Sequence, residues 1–146
     1  MEGVERALEL PPEDTVQLHR CGLRVNGDDD ASANAGVVNA LQRKDALKPY
    51  RMRSRVGLGI PMHSTGMGKV VLANIRARGY GFDFSENEPG TVCVSAPIRD
   101  HTGAVTHGLS VSSIALEHPG TTIEQFAPQA VAAANEISRL LGAPNV

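Results

Sequence analysis

Two segments in the second half of the chain alternate apolar residues with small polar ones. Residues 92–96 read Val-Cys-Val-Ser-Ala, and residues 109–112 read Leu-Ser-Val-Ser. A period of two residues is typical of a strand that is buried on one face. The stretch between them includes residues 100–103, Asp-His-Thr-Gly, which suit a hairpin loop. The pattern therefore predicts two adjacent antiparallel strands.

The two faces of this predicted hairpin differ in chemistry. If Arg99 pairs with Ala104, three further pairs follow on one face: Thr91 with Ser112, Cys93 with Ser110, and Ser95 with Gly108. The opposite face is apolar and carries Val92, Val94, Leu109 and Val111. The polar face is either the solvated side of an antiparallel sheet or a hydrogen-bonding floor for a small polar ligand, and the alternation leaves both open.

Three more strands are predicted from the first half of the chain. Residues 15–19 and 37–41 are short apolar-rich runs between polar loops, and residues 50–56 alternate strictly. In the last of these, Met52 lies on the apolar face and three arginines lie on the other. No aromatic residues interleave with the arginines for base stacking, so a solvated strand face is favoured over a nucleic-acid surface.

A glycine-rich loop at residues 57–68 leads into a short apolar run at residues 70–72. Ser64 or Thr65 is a suitable N-cap for a helix that begins there. The N–H groups of the first helical turn lack intrahelical partners, so a glycine-rich start can attract an anion. The alternative is a helix start whose glycines serve close packing. The spacing does not match a nucleotide-binding P-loop.

The C-terminal segment predicts an amphipathic helix. Residues 121–124, Thr-Thr-Ile-Glu, form a capping box. Pro128 is expected either to kink the helix or to start a fresh turn, and Gly142 is expected to stop it. The apolar stripe comprises Ile123, Phe126, Ala127, Ala130, Val131, Ala134, Ile137 and Leu141.

Composition restricts the class of protein. The chain has 146 residues, which suits one domain, and its net charge of −2 provides no electrostatic footprint for DNA. No apolar run is long enough to span a membrane, and the acidic start does not suit a signal peptide. Two cysteines make no disulfide framework, and the five histidines lack metal-ligand spacing. We expect a cytoplasmic protein without metal or cofactor.

Four segments together resemble a known family in their order and spacing. They are residues 53–69, which include Pro-Met-His-Ser-Thr-Gly-Met-Gly-Lys, residues 75–81, residues 90–98 and residues 136–142. This set resembles the C-terminal effector-binding domain of the IclR (isocitrate lyase regulator) family of bacterial transcription factors. The resemblance extends from about residue 14 to the C-terminus.

The resemblance implies a fold, a domain arrangement and a function. The fold is α+β and GAF-like, with a curved antiparallel sheet and helices on both faces. Residues 1–12 are the end of an interdomain linker helix, and residues 13–146 are the effector-binding domain. The family's winged helix-turn-helix domain is absent from this sequence. The implied function is to sense a small organic acid as a homodimer or homotetramer that contacts DNA only through that N-terminal domain.

The resemblance also implies the residues of the site. The backbone amides of Gly66 and Met67 hold the carboxylate of the effector. Its other polar atoms meet Asp83, Cys93, Ser110 and Ser112, and Met52 and Ile60 are apolar wall positions. This agrees with the strand pairing, which places Cys93 and Ser110 on the same face.

The chain departs from the family pattern in three places. Met67 stands where a smaller residue is common, which predicts a narrower pocket, and Phe84 stands where an acidic residue is common. The family also has a helical stretch where this sequence passes directly from Asn74 to Ile75. Either the protein has lost that stretch or a mobile stretch is left out of the sequence as given, and the matching flanks favour the second.

An enzyme remains the alternative, since a GAF-like domain can use a cysteine nucleophile. Cys93 would need a base, and His63 at the predicted helix start is the one plausible partner. Cys93 lies on a strand and has no basic neighbour in sequence, so nothing visible lowers its pKa. The sequence therefore favours a binding domain over an enzyme.

Overall fold

The computed structural model describes residues 15–22, 37–44, 59–61, 64–72, 79–120 and 122–146. Several predictions lie outside the described residues. These are the linker helix at 1–12, the strand at 50–56 with Met52, the junction of Asn74 with Ile75, and the capping role of Thr121.

The described residues contain one antiparallel sheet of six strands. The strands are β1 Thr15–Gly22, β2 Val37–Lys44, β3 Gly59–Pro61, β4 Gly81–Phe84, β5 Thr91–Arg99 and β6 Val105–Ile114. Their spatial order is β3-β2-β1-β6-β5-β4, so the predicted hairpin of β5 and β6 lies inside the sheet. The strands predicted near residues 15, 37, 92 and 109 are all present.

One face of the sheet is covered by α2, Ala127–Leu140, which follows a 3₁₀ helix at Thr122–Phe126. The alternation of β5 and β6 turns their apolar residues toward these helices, because successive side chains of a strand point to opposite faces. The resulting core comprises Val92, Val94, Ala96, Ile98, Leu109, Val111, Ile123, Phe126, Ala127, Ala130, Ala133 and Ala134.

The other face of the sheet is covered by α1, Gly66–Leu72. Its first residue lies so close to β4 and β5 that a Cβ on Gly66 would be 2.9 Å from the Ser95 Oγ. Since Ser95 points away from the core that Val94 and Ala96 enter, α1 and α2 lie on opposite faces of the sheet. The predicted α+β arrangement with helices on both faces is confirmed.

The predicted pairing of β5 with β6 is correct in face for the polar residues but wrong in register, by one residue at Arg99 and by two residues from Ile98 back to Thr91. Arg99 pairs with Val105, not with Ala104, and the register shifts between Ile98 and Arg99. Thr106 is the extra residue of this β-bulge, because Ile98 pairs with His107. As a result the facing pairs are Thr91 with Ile114, Cys93 with Ser112, Ser95 with Ser110, and Pro97 with Gly108.

The C-terminal helix decides between the two alternatives for Pro128 and shows that the prediction for Leu141 is wrong. Pro128 lies in the first turn of a fresh α-helix after the 3₁₀ turn, so it starts a helix and does not kink one. At the other end Gly142 has a φ of 81°, and its N–H and that of Ala143 bond to the carbonyls of Arg139 and Ser138. This is the Schellman ending that the glycine predicts. Leu141 is not part of the buried stripe, since it is 44% exposed at the C-cap.

Candidate functional site

Small polar residues of three neighbouring strands form two rows on the α1 side of the sheet. In the first row Asp83 of β4 faces Cys93 of β5, which faces Ser112 of β6. In the second row Ser95 lies between Gly81 and Ser110 in the same way; we call the two rows together the polar floor. The polar residues of the floor are at most 9% exposed. The face is therefore buried beneath α1 and is not the solvated side of the sheet.

Asp83 is the one carboxylate of the polar floor, and it is 3% exposed. Burial raises the pKa of its carboxyl, while hydrogen bonds from the backbone N–H groups of Glu86 and Asn87 and the charge of Lys69 lower it in part. The two backbone donors reach its Oδ1 at 2.8 Å and 3.4 Å, respectively. The carboxylate thus organises the turn after β4 and also lies in the floor.

Cys93 and Ser112 contact each other across the first row. The Cys93 Sγ is 3.1 Å from the Ser112 Oγ, and either atom can be the donor. Burial raises the pKa of the Cys93 thiol to about 12, and the hydrogen bond with Ser112 offsets this only in part. Cys93 is a free, buried thiol that keeps its proton at neutral pH. Its predicted base, His63, lies outside the described residues.

Ser95 is the residue of the floor that the predicted site omits. Its side chain is fully buried, and within the part of the chain that the structure describes its Oγ is the only buried side-chain oxygen or nitrogen without a hydrogen-bond partner. Alternation does place Ser95 on the polar face, but the predicted register set it against Gly108, a residue without a side chain. The corrected register sets it beside Ser110.

The start of α1 is fixed on the floor by a cap and an ion pair. The Gly68 N–H bonds to the Thr65 Oγ1 at 2.9 Å, so Thr65 is the N-cap of the two residues that the sequence allowed, Ser64 and Thr65. Lys69 donates to the Phe82 carbonyl at 3.3 Å and forms an ion pair with Glu86 in the turn after β4. The N–H groups of Gly66 and Met67 occupy the first helical turn, where no intrahelical acceptor is available.

Of the other residues singled out in the sequence, Met52 lies outside the described residues, and Ile60 and Phe84 lie away from the polar floor. Ile60 is in β3 at the far edge of the sheet, opposite Val38 of β2. Phe84 lies on the other face of β4 from Asp83, is 38% exposed, and stacks on Phe82 with ring centroids 5.4 Å apart. The structure therefore brings together Gly66, Met67, Asp83, Cys93, Ser110 and Ser112.

The described ranges contain no group of three histidine, cysteine or acidic residues arranged to bind a metal ion. Among the helices of these same ranges, none has the length and apolar character needed to cross a membrane.

Comparison with known proteins agrees with this fold. Residues 70–139 match the model of the bacterial transcriptional regulator IclR C-terminal family. The structure is similar to the crystal structure of Thermotoga maritima IclR, with 26% identity and a TM-score of 0.75, over 97% of this chain and 66% of that one. The sequence-based assignment is confirmed: the chain carries the C-terminal domain of the IclR family of transcriptional regulators and its GAF-like α+β fold.

Two curated relatives show how much of a regulator the chain represents. It is 39% identical to the HTH-type transcriptional regulator BhcR of Paracoccus denitrificans, over 80% of this chain and 55% of the relative. It is 27% identical to the HTH-type transcriptional regulator KdgR of Escherichia coli, over 70% of this chain and 52% of the relative. The chain spans about half the length of the curated relatives it matches.

The match with BhcR contains gaps on the side of this chain. It runs over 156 residues, which exceeds the 146 residues of this chain, although it uses only 80% of them. BhcR therefore has residues within the aligned region for which this chain has no counterpart.

Proposed function

We propose that this domain binds a small organic acid on the polar floor and is the effector-sensing part of a transcriptional regulator. The observation that carries the proposal is the composition of a buried surface. Two rows of hydroxyl, thiol and carboxyl groups lie beneath α1, and one hydroxyl, that of Ser95, has no partner among the described residues. Buried polar groups are normally hydrogen-bonded, so an unsatisfied hydroxyl in a polar layer favours a site that a ligand or water completes.

The charges on the floor favour a particular orientation of the acid. The ligand carboxylate cannot lie against Asp83 while both are ionised, because like charges in a buried site repel. The N–H groups of Gly66 and Met67 at the start of α1 offer a place for the carboxylate. A hydroxyl or a hydrated carbonyl of the ligand then donates to Asp83, and Ser110 and Ser112 bond its remaining oxygens.

The chemistry of Cys93 favours sensing over catalysis. A nucleophilic cysteine needs a thiolate, and a pKa of about 12 leaves almost none at neutral pH. Its described partner is the hydroxyl of Ser112, which is not a base at that pH. We therefore expect Cys93→Ser to retain ligand binding, whereas an enzyme with this nucleophile loses turnover.

A thermal-shift screen of small carboxylates, followed by mass spectrometry of any co-purified ligand, tests the proposal. An effector at a hundred times its dissociation constant stabilises the fold by about 2.7 kcal/mol, which is readily measured. Ser110→Ala is expected to weaken binding by roughly 0.5–1.5 kcal/mol, measured separately from its effect on the stability of the unliganded fold. Ser113→Ala is the matched control, because Ser113 is equally buried on the same strand but points to the opposite face. Unchanged affinity in both Ser110→Ala and Ser112→Ala would contradict the location of the site.

We further propose that the effector controls DNA binding through the oligomer of a longer protein that includes a DNA-binding domain. With a net charge of −2, this chain alone neutralises too few phosphates to hold duplex DNA. A gel-shift assay with this chain is expected to show no sequence-specific complex. Specific binding at sub-micromolar concentration would overturn the proposal.

A further inference from the structure

The outer side of β4 is one edge of the sheet. Among the described strands β4 has β5 as its only neighbour. The Ser85 N–H bonds to the Thr91 carbonyl of β5 at 2.8 Å. Because the backbone groups of an antiparallel strand alternate in direction, those of Asp83 also turn toward β5, whereas those of Phe82 and Phe84 turn outward. The edge thus presents a short row of N–H and C=O groups that point away from the sheet.

The side chains of β4 favour the addition of another strand at this edge. The rings of Tyr80, Phe82 and Phe84 follow one another on the α2 side, with centroids 5.2 Å and 5.4 Å apart. Phe84 is 38% exposed, whereas Asp83, the one charged residue of β4, is 3% exposed and lies in the polar floor. Aromatic residues favour β-structure, and an edge without exposed charge is a template for pairing with another chain. The strand itself therefore carries no charge that opposes such pairing.

Lys69 of α1 supplies a charge at this edge. Its Nζ donates to the outward-facing carbonyl of Phe82 at 3.3 Å and forms an ion pair with Glu86 in the turn after β4. The Glu86 N–H bonds in turn to the Asp83 Oδ1 at 2.8 Å, so the fold of the turn fixes the position of the ion pair. The ammonium group thus occupies the place from which an N–H of an incoming strand would reach the Phe82 carbonyl.

We propose that Lys69 caps the outer edge of β4 and prevents a second copy of this chain from adding its own β4 there. The inference does not depend on the proposed function. Two copies that pair through the same strand are related by a two-fold axis, so both Phe82 carbonyls must be released and the two Lys69 ammonium groups approach each other. Like charges that face each other oppose association. A lysine at a sheet edge is one of the devices by which proteins avoid edge-to-edge pairing.

Lys69→Met tests the cap, because methionine keeps an unbranched apolar chain but has neither the charge nor the N–H donors. Sedimentation velocity of the full chain over a range of concentrations measures self-association, and the unmodified protein gives the baseline. Lys69→Met is expected to reach the same degree of association at about tenfold lower concentration. Lys69→Arg keeps a charge and donors and is expected to match the baseline. Arg139→Met is the matched control, because it removes a positive charge from an exposed ion pair with Glu136 on α2.

Two measurements show whether the association uses this edge. Phe84→Pro removes an outward N–H and leaves the bonds to β5 in place, so Lys69→Met combined with Phe84→Pro is expected to return to the baseline. Amide hydrogen exchange of Lys69→Met is expected to slow at Phe84 as the concentration rises. If Lys69→Met does not fold, Lys69→Gln replaces it with the same expected shift.

Three results would overturn the proposal. The first is that Lys69→Met associates no more readily than the unmodified protein. The second is that Arg139→Met associates as readily as Lys69→Met, because the effect then follows from net charge. The third is association of Lys69→Met that leaves exchange at Phe84 unchanged and persists with Phe84→Pro, because the contact then lies elsewhere on the surface.

Discussion

The same substitution at two fully buried serines is expected to change stability in opposite directions. Ser95 and Ser138 are both 0% exposed. The Ser95 Oγ has no hydrogen-bond partner among the described residues. The Ser138 Oγ accepts from the Arg99 N–H at 2.9 Å and donates to the Ala134 carbonyl at 2.7 Å. Burial and residue type are thus matched, and the hydrogen bonds differ.

The magnitudes follow from these partners. Keeping a buried hydroxyl without a partner costs about 1–3 kcal/mol, and Ser95→Ala removes that cost while it leaves the Cβ in place. We expect a gain of about 1 kcal/mol, or roughly 2–4 °C in melting temperature for a chain of this size. Ser138→Ala leaves the Arg99 N–H without its acceptor at the bulge. We expect a loss of about 1 kcal/mol after the slightly better helix propensity of alanine is counted.

Differential scanning calorimetry and urea unfolding of ligand-free protein measure both variants. The urea m-value serves as a check that the compactness of the unfolded state is unchanged. A melting temperature of Ser95→Ala that falls as far as that of Ser138→Ala refutes the reasoning, because it means that the Ser95 hydroxyl is hydrogen-bonded in solution.

Two further predictions concern the packing of α1 and the thiol. Gly66→Ala is expected to destabilise the fold by about 1–3 kcal/mol, since its Cβ would lie 2.9 Å from the Ser95 Oγ and 3.3 Å from the backbone of β4. Urea unfolding that matches the unmodified protein would mean that α1 does not rest on the sheet there. Cys93 holds its proton in the folded state up to a pKa of about 12, above the ordinary value of 9.0, so its contribution to stability falls as pH rises from about 9 toward 12. Cys93→Ser is expected to remove that part of the alkaline loss, and parallel pH profiles of the two proteins would contradict the assignment.

The faces of the sheet were predictable because they depend only on parity along the chain. Val94 and Ser95 alternate in sequence, and a strand must turn them to opposite sides whatever its neighbours are. The helix end at Gly142 was predictable for a similar local reason, because a positive φ there favours glycine. Leu141 was misplaced because a helical period does not show where the last buried turn ends.

The composition of the polar floor was harder to predict because it depends on register. The bulge at Thr106 has no clear signal in the sequence. Together with the pairing of Arg99 with Val105 in place of Ala104, it moves the partner of Ser95 from Gly108 to Ser110. The position of the Met67 thioether depends on tertiary packing against Gly108, a residue more than forty positions away. Neither propensity nor periodicity contains that information.

The bulge has a consequence for how this hairpin can change in evolution. The turn between β5 and β6 is closed by a hydrogen bond from the Asp100 N–H to the Ala104 carbonyl, and Thr106 adds one unpaired residue beyond it. Insertion or deletion of a single residue here would move every following side chain of β6 to the opposite face of the sheet. Ser110 and Ser112 would then point into the apolar core beneath α2. Loop length can therefore vary among descendants in steps of two, or by one only where the bulge is lost or gained at the same time. Homologous hairpins whose loops differ in length by an odd number of residues are expected to differ also in whether β6 contains this β-bulge.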